Sequence, residues 1–493
     1  MTIDTDTAVP ILSGNWSHPQ VEQYHDVFNP STGEVIAQTP MCGMREVDGA
    51  VQAASKAFAD WARTPAPRRA EVMFRYRALL NSHFEELAAL VTRENGKTLD
   101  ESRGDVRRGI EVVDFACGIA QLLKGENLPQ VANFIDGATT REPLGVCAGI
   151  TPFNFPAMVP MWMFPVAIAC GNVFILKPSE KVPLTPVRLG ELLLEAGLPE
   201  GVFNIVHGGR EVVDALCSHP GIASVSFVGS TNVARHVYTL ACANGKRVQA
   251  AGGAKNVLLV MPNAEPEPTL NAIMGAAYGN AGQRCMAGSL LMGVGSIGDE
   301  LRDRLVAAID KLAVDDTSAN PRAEMGPVID GTSQRRIQGM IARGAEEGAT
   351  LVRDGRSGTP AHGFFVAPTL IDDVTPEMSL YTTEVFGPVL SMLRPDNLDE
   401  AIALLNRVPY GNGATIFTSS GANARQFVRE IQCGMIGVNV GVPAPMALFP
   451  FSGWNQSFFG DLHVQGMEGV QFYTRQKVVL SRWDNTYKRT QGW

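Results

Sequence analysis

The chain has 493 residues, which is too long for one hydrophobic core of ordinary size and predicts two or three packed domains. Its composition, with 45% hydrophobic and 18% charged residues, 50 glycines and 31 prolines, excludes a disordered or fibrous chain. The net charge of -9 is spread along the chain without a basic block, which argues against nucleic acid or an anionic membrane as a partner.

Two features of the sequence indicate the cellular compartment of the protein. Residues 1–13 begin with acidic and polar side chains, and they lack the basic region and apolar stretch of a signal peptide. The eight cysteines are scattered without a CxxC pair, which argues against a disulfide framework and against a zinc site. We therefore expect a cytoplasmic protein without a bound metal.

The first part of the chain is predicted to be rich in helices. Apolar residues recur at helical spacing among Arg and Glu over residues 47–63 and 67–95, as in amphipathic helices that cover a core. Residues 124–143 form an irregular stretch, and residues 471–482 near the end of the chain alternate Phe, Tyr, Val and Leu with polar residues. We interpret both segments as exposed strands that pair with another subunit.

After residue 141 the pattern changes to short apolar runs, each followed by a turn and a helical pattern. The runs cover residues 145–150, 173–176, 202–206 and 224–228, and a second series has strands at 257–260, 349–352 and 389–393 with a helix at 270–278. Pro160, Pro165 and Gly171 interrupt the longest apolar stretch, residues 157–176, which predicts a buried helix followed by a strand and no transmembrane helix. The alternation predicts parallel strands with crossover helices in two α/β domains.

One cysteine lies in a loop of small residues. Residues 279–289 read GNAGQRCMAGS, and small residues let a substrate approach the backbone closely. The loop alone leaves two interpretations of Cys285 open, a nucleophile and a buried, inert thiol.

Three segments together resemble the aldehyde dehydrogenase superfamily: residues 151–180 (TPFNFPAMVPMWMFPVAIACGNVFILKPSE), GQRC at Cys285, and EVFGPVL from Glu384. The likeness extends from about residue 29 to residue 479. It implies a Rossmann-like NAD-binding domain at residues 1–123 and 144–250, and a catalytic α/β domain at 251–445. A small β-flap for oligomerisation is implied at 124–143 and 470–493.

The resemblance implies a role for two residues in the chemistry. Cys285 matches the nucleophile, whose thiolate adds to an aldehyde carbonyl. Asn154 matches the residue whose side-chain amide, with the Cys285 backbone N–H, stabilises the oxyanion before hydride leaves for NAD. Without the family context, Asn154 is equally explained as a turn residue ahead of Pro156.

The resemblance also implies a set of NAD contacts. Lys177 and Glu180 match positions that hold the adenosine ribose, where a carboxylate favours NAD over NADP. Gly229 and Ser230 match the turn that opens a helix near the pyrophosphate, although Ala234 replaces a second glycine of many members. The full set of matched cofactor positions is Thr151, Phe153, Lys177, Glu180, Lys181, Gly229, Ser230, Gly252, Glu384 and Phe386. Taken alone, KPSE at residues 177–180 is explained as a solvated turn and Glu384 as a salt-bridge residue.

One departure from the family is informative. Hydrolytic members have a Glu in an ELGGKN segment that activates water, whereas residues 251–256 here read AGGAKN and place Ala251 at that position. A free thiol supplies some thiolate at neutral pH without a base, so the missing carboxylate favours thiolysis by coenzyme A. Segments starting at Arg107, Pro152 and Gly441 resemble the CoA-acylating methylmalonate-semialdehyde dehydrogenase branch, which implies a homotetramer built as a dimer of dimers.

Substrates of that branch carry a carboxylate, and Arg108 and Arg284 match the arginines expected to bind it. A surface ion pair remains the alternative for Arg108, and the neighbouring Arg107 is the alternative ligand. Decarboxylation of the thioester would give propionyl-CoA or acetyl-CoA.

The alternative function is a non-acylating, hydrolytic aldehyde dehydrogenase. A catalytically silent protein on this fold would be favoured if Cys285 or Asn154 were replaced, and neither is.

Overall fold

The protein is described by a computed structural model that covers residues 8–484. The strands are β1 (Ile11–Ser13), β2 (Asn15–Ser17), β3 (Tyr24–Phe28), β4 (Val35–Pro40), β5 (Asn127–Ala132), β6 (Ile135–Pro143), β7 (Val146–Ile150), β8 (Val173–Lys177), β9 (Phe203–Ile205), β10 (Ile222–Val228), β11 (Arg247–Ala251), β12 (Asn256–Val260), β13 (Gly288–Gly293), β14 (Thr350–Arg353), β15 (Thr369–Asp372), β16 (Val389–Leu393), β17 (Tyr410–Gly411), β18 (Gly413–Phe417), β19 (Met435–Val438), β20 (Trp454–Asn455), β21 (Phe458–Gly460) and β22 (Thr474–Arg482). The helices are α1 (Met44–Trp61), α2 (Ala66–Ser82), α3 (Phe84–Asn95), α4 (Leu99–Cys117), α5 (Ile119–Leu122), α6 (Met158–Ala169), α7 (Leu184–Glu195), α8 (Arg210–Ser218), α9 (Thr231–Ala243), α10 (Pro266–Tyr278), α11 (Ile297–Ile309), α12 (Gly331–Glu346), α13 (Ser379–Thr382), α14 (Leu398–Arg407), α15 (Gly421–Glu430) and α16 (Gly466–Phe472).

The first large sheet has eight strands in the order β2-β1-β9-β8-β7-β10-β11-β21. Five inner strands, β9, β8, β7, β10 and β11, are parallel to one another. The two strands that flank them, β1 and β21, are antiparallel to their neighbours. In register, Ile150 lies beside Lys177 on one side and beside Phe227 on the other. The carboxyl ends of β7, β8 and β10 therefore lie at one edge of the sheet, where ligands bind in folds of this kind.

The second large sheet has seven strands in the order β14-β15-β16-β13-β12-β18-β19, all parallel except the edge strand β14. Only residues 252–255 separate the end of β11 in the first sheet from the start of β12 in the second. Asn256, the first residue of β12, is paired with Gly288, the first residue of β13. This short link places the amino edge of the second sheet next to the carboxyl edge of the first.

The helices differ from the sequence prediction in one detail. Residues 67–95 form two helices, α2 and α3, because the chain leaves helical geometry at His83, which ends one helix and precedes the next. Helix α6 is buried from Val159 to Ala169 although it contains Pro165, as expected of a helix inside a core. Among the described residues, no helix is long and apolar enough to cross a membrane.

A separate three-stranded sheet, β22-β6-β5, extends from the body of the protein. Strands β6 and β22 pair over nine positions, from Pro143 with Thr474 to Ile135 with Arg482. Exposed apolar side chains on this sheet and just beyond it are Leu128, Val131, Phe134, Val478, Val479, Leu480 and Trp483. Residues 124–143, predicted as exposed strands, contain the hairpin β5–β6, whereas in the second segment, 471–482, the strand begins only at Thr474 because residues 471 and 472 end α16. Residues 485–493 of the predicted oligomerisation segment lie outside the described residues, and the predicted domain boundaries stay predictions.

Candidate active site

The loop that carries Cys285, residues 279–287, has an unusual backbone. Asn280 and Ala281 adopt positive φ values of 51° and 49°, and Gly282 follows at 68°. A Cβ on Gly282 would overlap the carbonyl group of Gly387, so only glycine fits at this turn. Non-glycine residues in this region cost free energy and persist where the surroundings hold them, which often occurs at functional sites.

Buried amide side chains fix this loop. Asn256 Nδ2 donates hydrogen bonds to the carbonyl oxygens of Cys285 at 2.8 Å and Ala287 at 2.9 Å. Asn412 Nδ2 donates a second hydrogen bond to the Cys285 carbonyl oxygen, at 2.8 Å. The backbone of Cys285 is therefore held by the first residue of β12 and by the residue just before β18.

Cys285 lines the site cavity, a pocket of about 340 Å³ whose other walls come from α4, α6 and the loops at residues 442–451 and 465. Of the eight cysteines, six are buried, Cys242 is exposed and Cys285 is partly exposed. Burial raises the pKa of the Cys285 thiol to about 12, the carboxylate of Glu384 adds to the rise, and the Cys285 and Met286 N–H groups oppose it. The thiol of the ligand-free protein is therefore protonated at neutral pH.

This raised pKa leads to a pH prediction. We expect iodoacetamide to alkylate ligand-free Cys285 slowly at neutral pH, with a rate that rises about tenfold per unit between about pH 7 and pH 10, because only the thiolate reacts. Mass spectrometry of the Cys285 peptide measures the rate. The peptide with exposed Cys242 serves as the internal control for the reagent. A plateau of the Cys285 rate below about pH 8 would show that the thiolate is already formed.

Asn154 lies next to this loop. It is buried, and its Nδ2 donates a hydrogen bond to the Gln283 carbonyl oxygen at 3.0 Å. Its backbone carbonyl accepts a hydrogen bond from Lys97 Nζ at 2.7 Å, and Lys97 is paired with Asp105 at 3.1 Å. The structure thus brings Asn154 and the Cys285 loop together. Sequence analysis missed Lys97 and Asp105, since a buried ion pair behind a site leaves no motif.

The residues predicted to hold the adenosine half of NAD lie together at the carboxyl edge of the first sheet. Lys177 ends β8, and its Nζ lies 3.1 Å from Glu180 Oε2. Burial raises the pKa of Glu180, but Lys177 and a backbone N–H outweigh burial, so the net pKa lies below its usual value. Thr151 donates its N–H to the Lys177 carbonyl oxygen at 3.1 Å. An ionised carboxylate at this edge suits ribose hydroxyls.

Two of the predicted cofactor residues are aromatic, and their rings are in contact. The rings of Phe153 and Phe386 meet edge to face at 5.7 Å. Lys181 Nζ lies 5.2 Å from the centre of the Phe153 ring and 2.6 Å from Asp330. Phe386 itself adopts a positive φ of 49°. Phe153, Lys181 and Phe386, three of the predicted cofactor residues, are therefore neighbours.

Gly229 and Ser230 form the turn between β10 and α9, as predicted. Gly229 donates its N–H to the Ala251 carbonyl oxygen at 3.1 Å. Ser230 is the N-cap residue of α9, but its side chain makes no capping hydrogen bond. The first turn of α9 therefore keeps backbone N–H groups available for an anion such as a pyrophosphate. Gly252 fits closely, because a Cβ there would lie 2.9 Å from the Gln456 carbonyl oxygen.

Glu384 accepts a hydrogen bond from the Ala254 N–H at 3.0 Å. Burial raises the pKa of Glu384 to about 7, against the effects of the Ala254 N–H and Lys255. Burial likewise lowers the pKa of Lys255 to about 7, against the effect of Glu384. Lys255 Nζ is buried and has no hydrogen-bond partner within residues 8–484. Glu384, whose charge acts on the Cys285 thiol, and Lys255 thus form a buried pair with shifted pKa values, which is typical of a functional site.

The predicted carboxylate ligands both line the site cavity. Arg108 Nη1 lies 3.0 Å from Glu111 Oε2, and both side chains are about one-third exposed. Arg284 Nη2 lies 2.9 Å from Glu101 Oε1 and is more buried. Arg107, the alternative ligand, also lines the cavity, with its guanidinium 4.6 Å from the centre of the Phe84 ring. The arginines therefore lie where predicted, each with an internal partner.

The acidic side chains that line the site cavity are all engaged. They are Glu101, Asp105 and Glu111, against the cationic Lys97, Arg107, Arg108 and Arg284, so positive charge is in excess. Glu101 accepts hydrogen bonds from the backbone N–H groups of Asn280 at 2.5 Å and Thr98 at 3.1 Å, in addition to its pair with Arg284. Ala251, the last residue of β11, carries a methyl group and is not among the residues that line the site cavity.

Comparison with known proteins identifies the class. The model of the aldehyde dehydrogenase family matches residues 16–479, and the chain belongs to this family. The predicted fold class and the prediction of an aldehyde-oxidising enzyme are therefore confirmed.

Relatives agree with the predicted branch. Malonate-semialdehyde dehydrogenase 2 of Geobacillus kaustophilus (strain HTA426) is 51% identical over 485 residues, which cover 98% of this chain and 100% of the relative. A crystal structure of methylmalonate-semialdehyde dehydrogenase from Oceanimonas doudoroffii has a TM-score of 0.96 and 46% identity, covering 98% of this chain and 99% of the other. A candidate methylmalonate-semialdehyde dehydrogenase from Sinorhizobium meliloti 1021, complexed with NAD, has a TM-score of 0.95 and 45% identity, covering 97% and 98%.

Proposed function

We propose that the protein oxidises a semialdehyde that carries a carboxylate, with NAD as hydride acceptor, and transfers the acyl group from Cys285 to coenzyme A. The observation that carries the proposal is Ala251, which stands where hydrolytic members of the family have their general base. Glu101, Asp105 and Glu111 are already paired, so none of these cavity carboxylates is free to activate water. The full-length similarity to malonate-semialdehyde dehydrogenases supports the same substrate class.

The chemistry follows from the residues around the site cavity. The Cys285 thiol releases its proton to solvent and its sulfur adds to the aldehyde carbon, so the carbonyl electron pair becomes an oxyanion. The Asn154 amide and the Cys285 backbone N–H are the proposed donors to that oxyanion. Bound NAD would supply the acceptor for the hydride of this carbon, whose oxidation leaves a thioester on Cys285.

The NAD site is proposed at the carboxyl edge of the first sheet. The ionised Glu180 suits ribose hydroxyls and repels a 2'-phosphate, and the uncapped start of α9 after Ser230 suits a pyrophosphate. The resemblance implies that Glu384 and Phe386 lie beside the nicotinamide ribose and ring. The NAD complex of the similar Sinorhizobium meliloti structure supports this choice of cofactor.

The excess positive charge of the cavity supports a carboxylate substrate. Arg108 and Arg284 offer guanidinium groups that form two parallel hydrogen bonds with a carboxylate. In the thioester, this carboxylate is β to the carbonyl group. Breaking the bond to CO2 leaves its electron pair on a thioester enolate, which takes up a proton. Attack by the CoA thiol then releases acetyl-CoA or propionyl-CoA and restores Cys285.

The test is the requirement for CoA. With NAD and malonate semialdehyde but no CoA, we expect a burst of about one NADH per active site followed by slow turnover, because the thioester persists. Adding CoA should raise the steady rate at least about tenfold and release an acyl-CoA. NADH absorbance and chromatography of the products measure both. Rapid turnover without CoA that yields only free acid would establish the hydrolytic alternative.

Restoring the base gives a matched variant of the same test. Ala251→Glu should raise the CoA-independent rate and the share of free acid, and Ala251→Gln, similar in size without a base, should not. Burial of the new carboxyl group would raise its pKa, so the gain should grow with pH. Equal rates for the Glu and Gln variants would show that position 251 does not control deacylation.

We also propose that the sheet β22-β6-β5 is the contact between subunits, in the homotetramer that the resemblance implies. Its exposed Leu128, Phe134, Val478, Leu480 and Trp483 form more apolar surface than a free edge normally shows to water.

A further inference from the structure

Gln465 has a backbone conformation that its side chain does not favour. The residue precedes α16 and has a φ of 72° and a ψ of 167°. This region of backbone geometry is essentially reserved for glycine, which has no Cβ to collide with its own chain. A strained non-glycine residue is a reason to look for a function of its side chain.

The side chain of Gln465 lacks an internal partner. The residue is 3% exposed, and it lines the site cavity together with Cys285. Its Oε1 atom is buried without a hydrogen bond, and no hydrogen bond to the side chain is found within residues 8–484. A buried amide without partners costs free energy unless a ligand supplies them.

The neighbourhood of Gln465 relates it to Arg108. The residue after it, Gly466, donates its N–H to the Ala447 carbonyl oxygen at 3.1 Å. Arg108 contacts the sulfur of Met446, the residue before Ala447. Gln465 and Arg108 therefore both line the cavity and lie near adjacent residues, Ala447 and Met446, of the same segment.

We propose that the Gln465 amide is a ligand of the substrate carboxylate and donates an N–H group to it beside Arg108 and Arg284. Oε1 is the fully buried end of the amide, so the Nε2 group is the end that can present a donor to the cavity. The proposal rests on the proposed function, because it takes a carboxylate-bearing aldehyde as the substrate.

Three variants test the proposal. Gln465→Leu keeps the volume without the amide, Gln465→Gly removes the side chain and suits the backbone, and Gln465→Glu adds a repelling charge. Each should lower kcat/KM for malonate semialdehyde about tenfold or more, since a hydrogen bond to a charged group is lost, and change propanal about threefold at most. Met467→Ala, at an exposed position of α16, is the control and should match the parent. The melting temperature of Gln465→Gly should not fall below that of the parent.

A binding measurement separates the two proposals. Calorimetry with 3-hydroxypropionate, an unreactive analogue with one carboxylate, should show weaker binding to the Leu and Gly variants than to the parent protein. If these variants bind the analogue as well as the parent, or lose propanal and semialdehyde activity equally, the role of Gln465 is wrong. If the parent binds the analogue more tightly than the Leu and Gly variants but oxidises malonate semialdehyde no better than propanal, the proposed function is wrong while the ligand role of Gln465 stands. No binding by the parent refutes the ligand role.

Discussion

Cys285→Ala should abolish aldehyde-dependent NADH formation, with a residual rate below about a thousandth of the parent rate, because covalent catalysis is lost entirely. The substitution removes one sulfur atom from a loop whose backbone is held by Asn256 and Asn412. The fold around the site should therefore persist. NAD affinity, measured by fluorescence or calorimetry, should stay within a few fold, because Cys285 is not among the proposed cofactor contacts.

The chain offers a matched control in Cys242→Ala. Cys242 is an exposed cysteine on α9, outside the site cavity, and its loss should leave the rate unchanged. Comparing the two variants separates the loss of a particular nucleophile from a general effect of removing a thiol. Steady NADH production by purified Cys285→Ala above about a thousandth of the parent rate would remove Cys285 from the mechanism.

The strands were predictable because their signal is local. The run at residues 389–393 coincides with β16, and the run at 173–176 falls one residue short of β8. Each is a short apolar run bounded by turn residues, and the period and the boundary are both visible in the sequence. The break between α2 and α3 at His83 was not predictable, because the apolar pattern continues on both sides of it.

The arrangement of the site was predictable only where a motif exists. The resemblance placed Cys285, Asn154 and Lys177, and the structure shows them at the meeting edges of the two sheets. The contacts that hold the site join residues far apart in the chain, such as Lys97 with Asn154 and Glu101 with Arg284. No periodicity or turn rule relates such pairs. Gln465 belongs to the same class, since its strain and its unpaired amide exist only in the folded chain.

The two arginines should differ in what their loss reveals. Glu101, the partner of Arg284, also accepts the Asn280 N–H and so helps to hold the Cys285 loop. Arg284→Leu leaves this carboxylate short of a partner, and we expect it to slow the oxidation of every aldehyde in addition to weakening charged ones. Arg108 is paired with the part-exposed Glu111, which water can solvate when the arginine is gone. Substitution of Arg108 therefore tests carboxylate binding with less disturbance of the Cys285 loop than substitution of Arg284.

Arg108→Leu should lower kcat/KM for malonate semialdehyde by about 2 to 4 kcal/mol, roughly thirtyfold to a thousandfold, and propanal by a few fold only. The reason is the loss of a charge-assisted, two-pronged contact with the carboxylate, which propanal lacks. Arg107→Leu is the matched control, because Arg107 shares the helix and the cavity but lies over the Phe84 ring. NADH assays over a concentration series of both aldehydes measure the effect. Equal losses for the two aldehydes would make Arg108 structural, and selective loss in Arg107→Leu instead would assign the carboxylate to its neighbour.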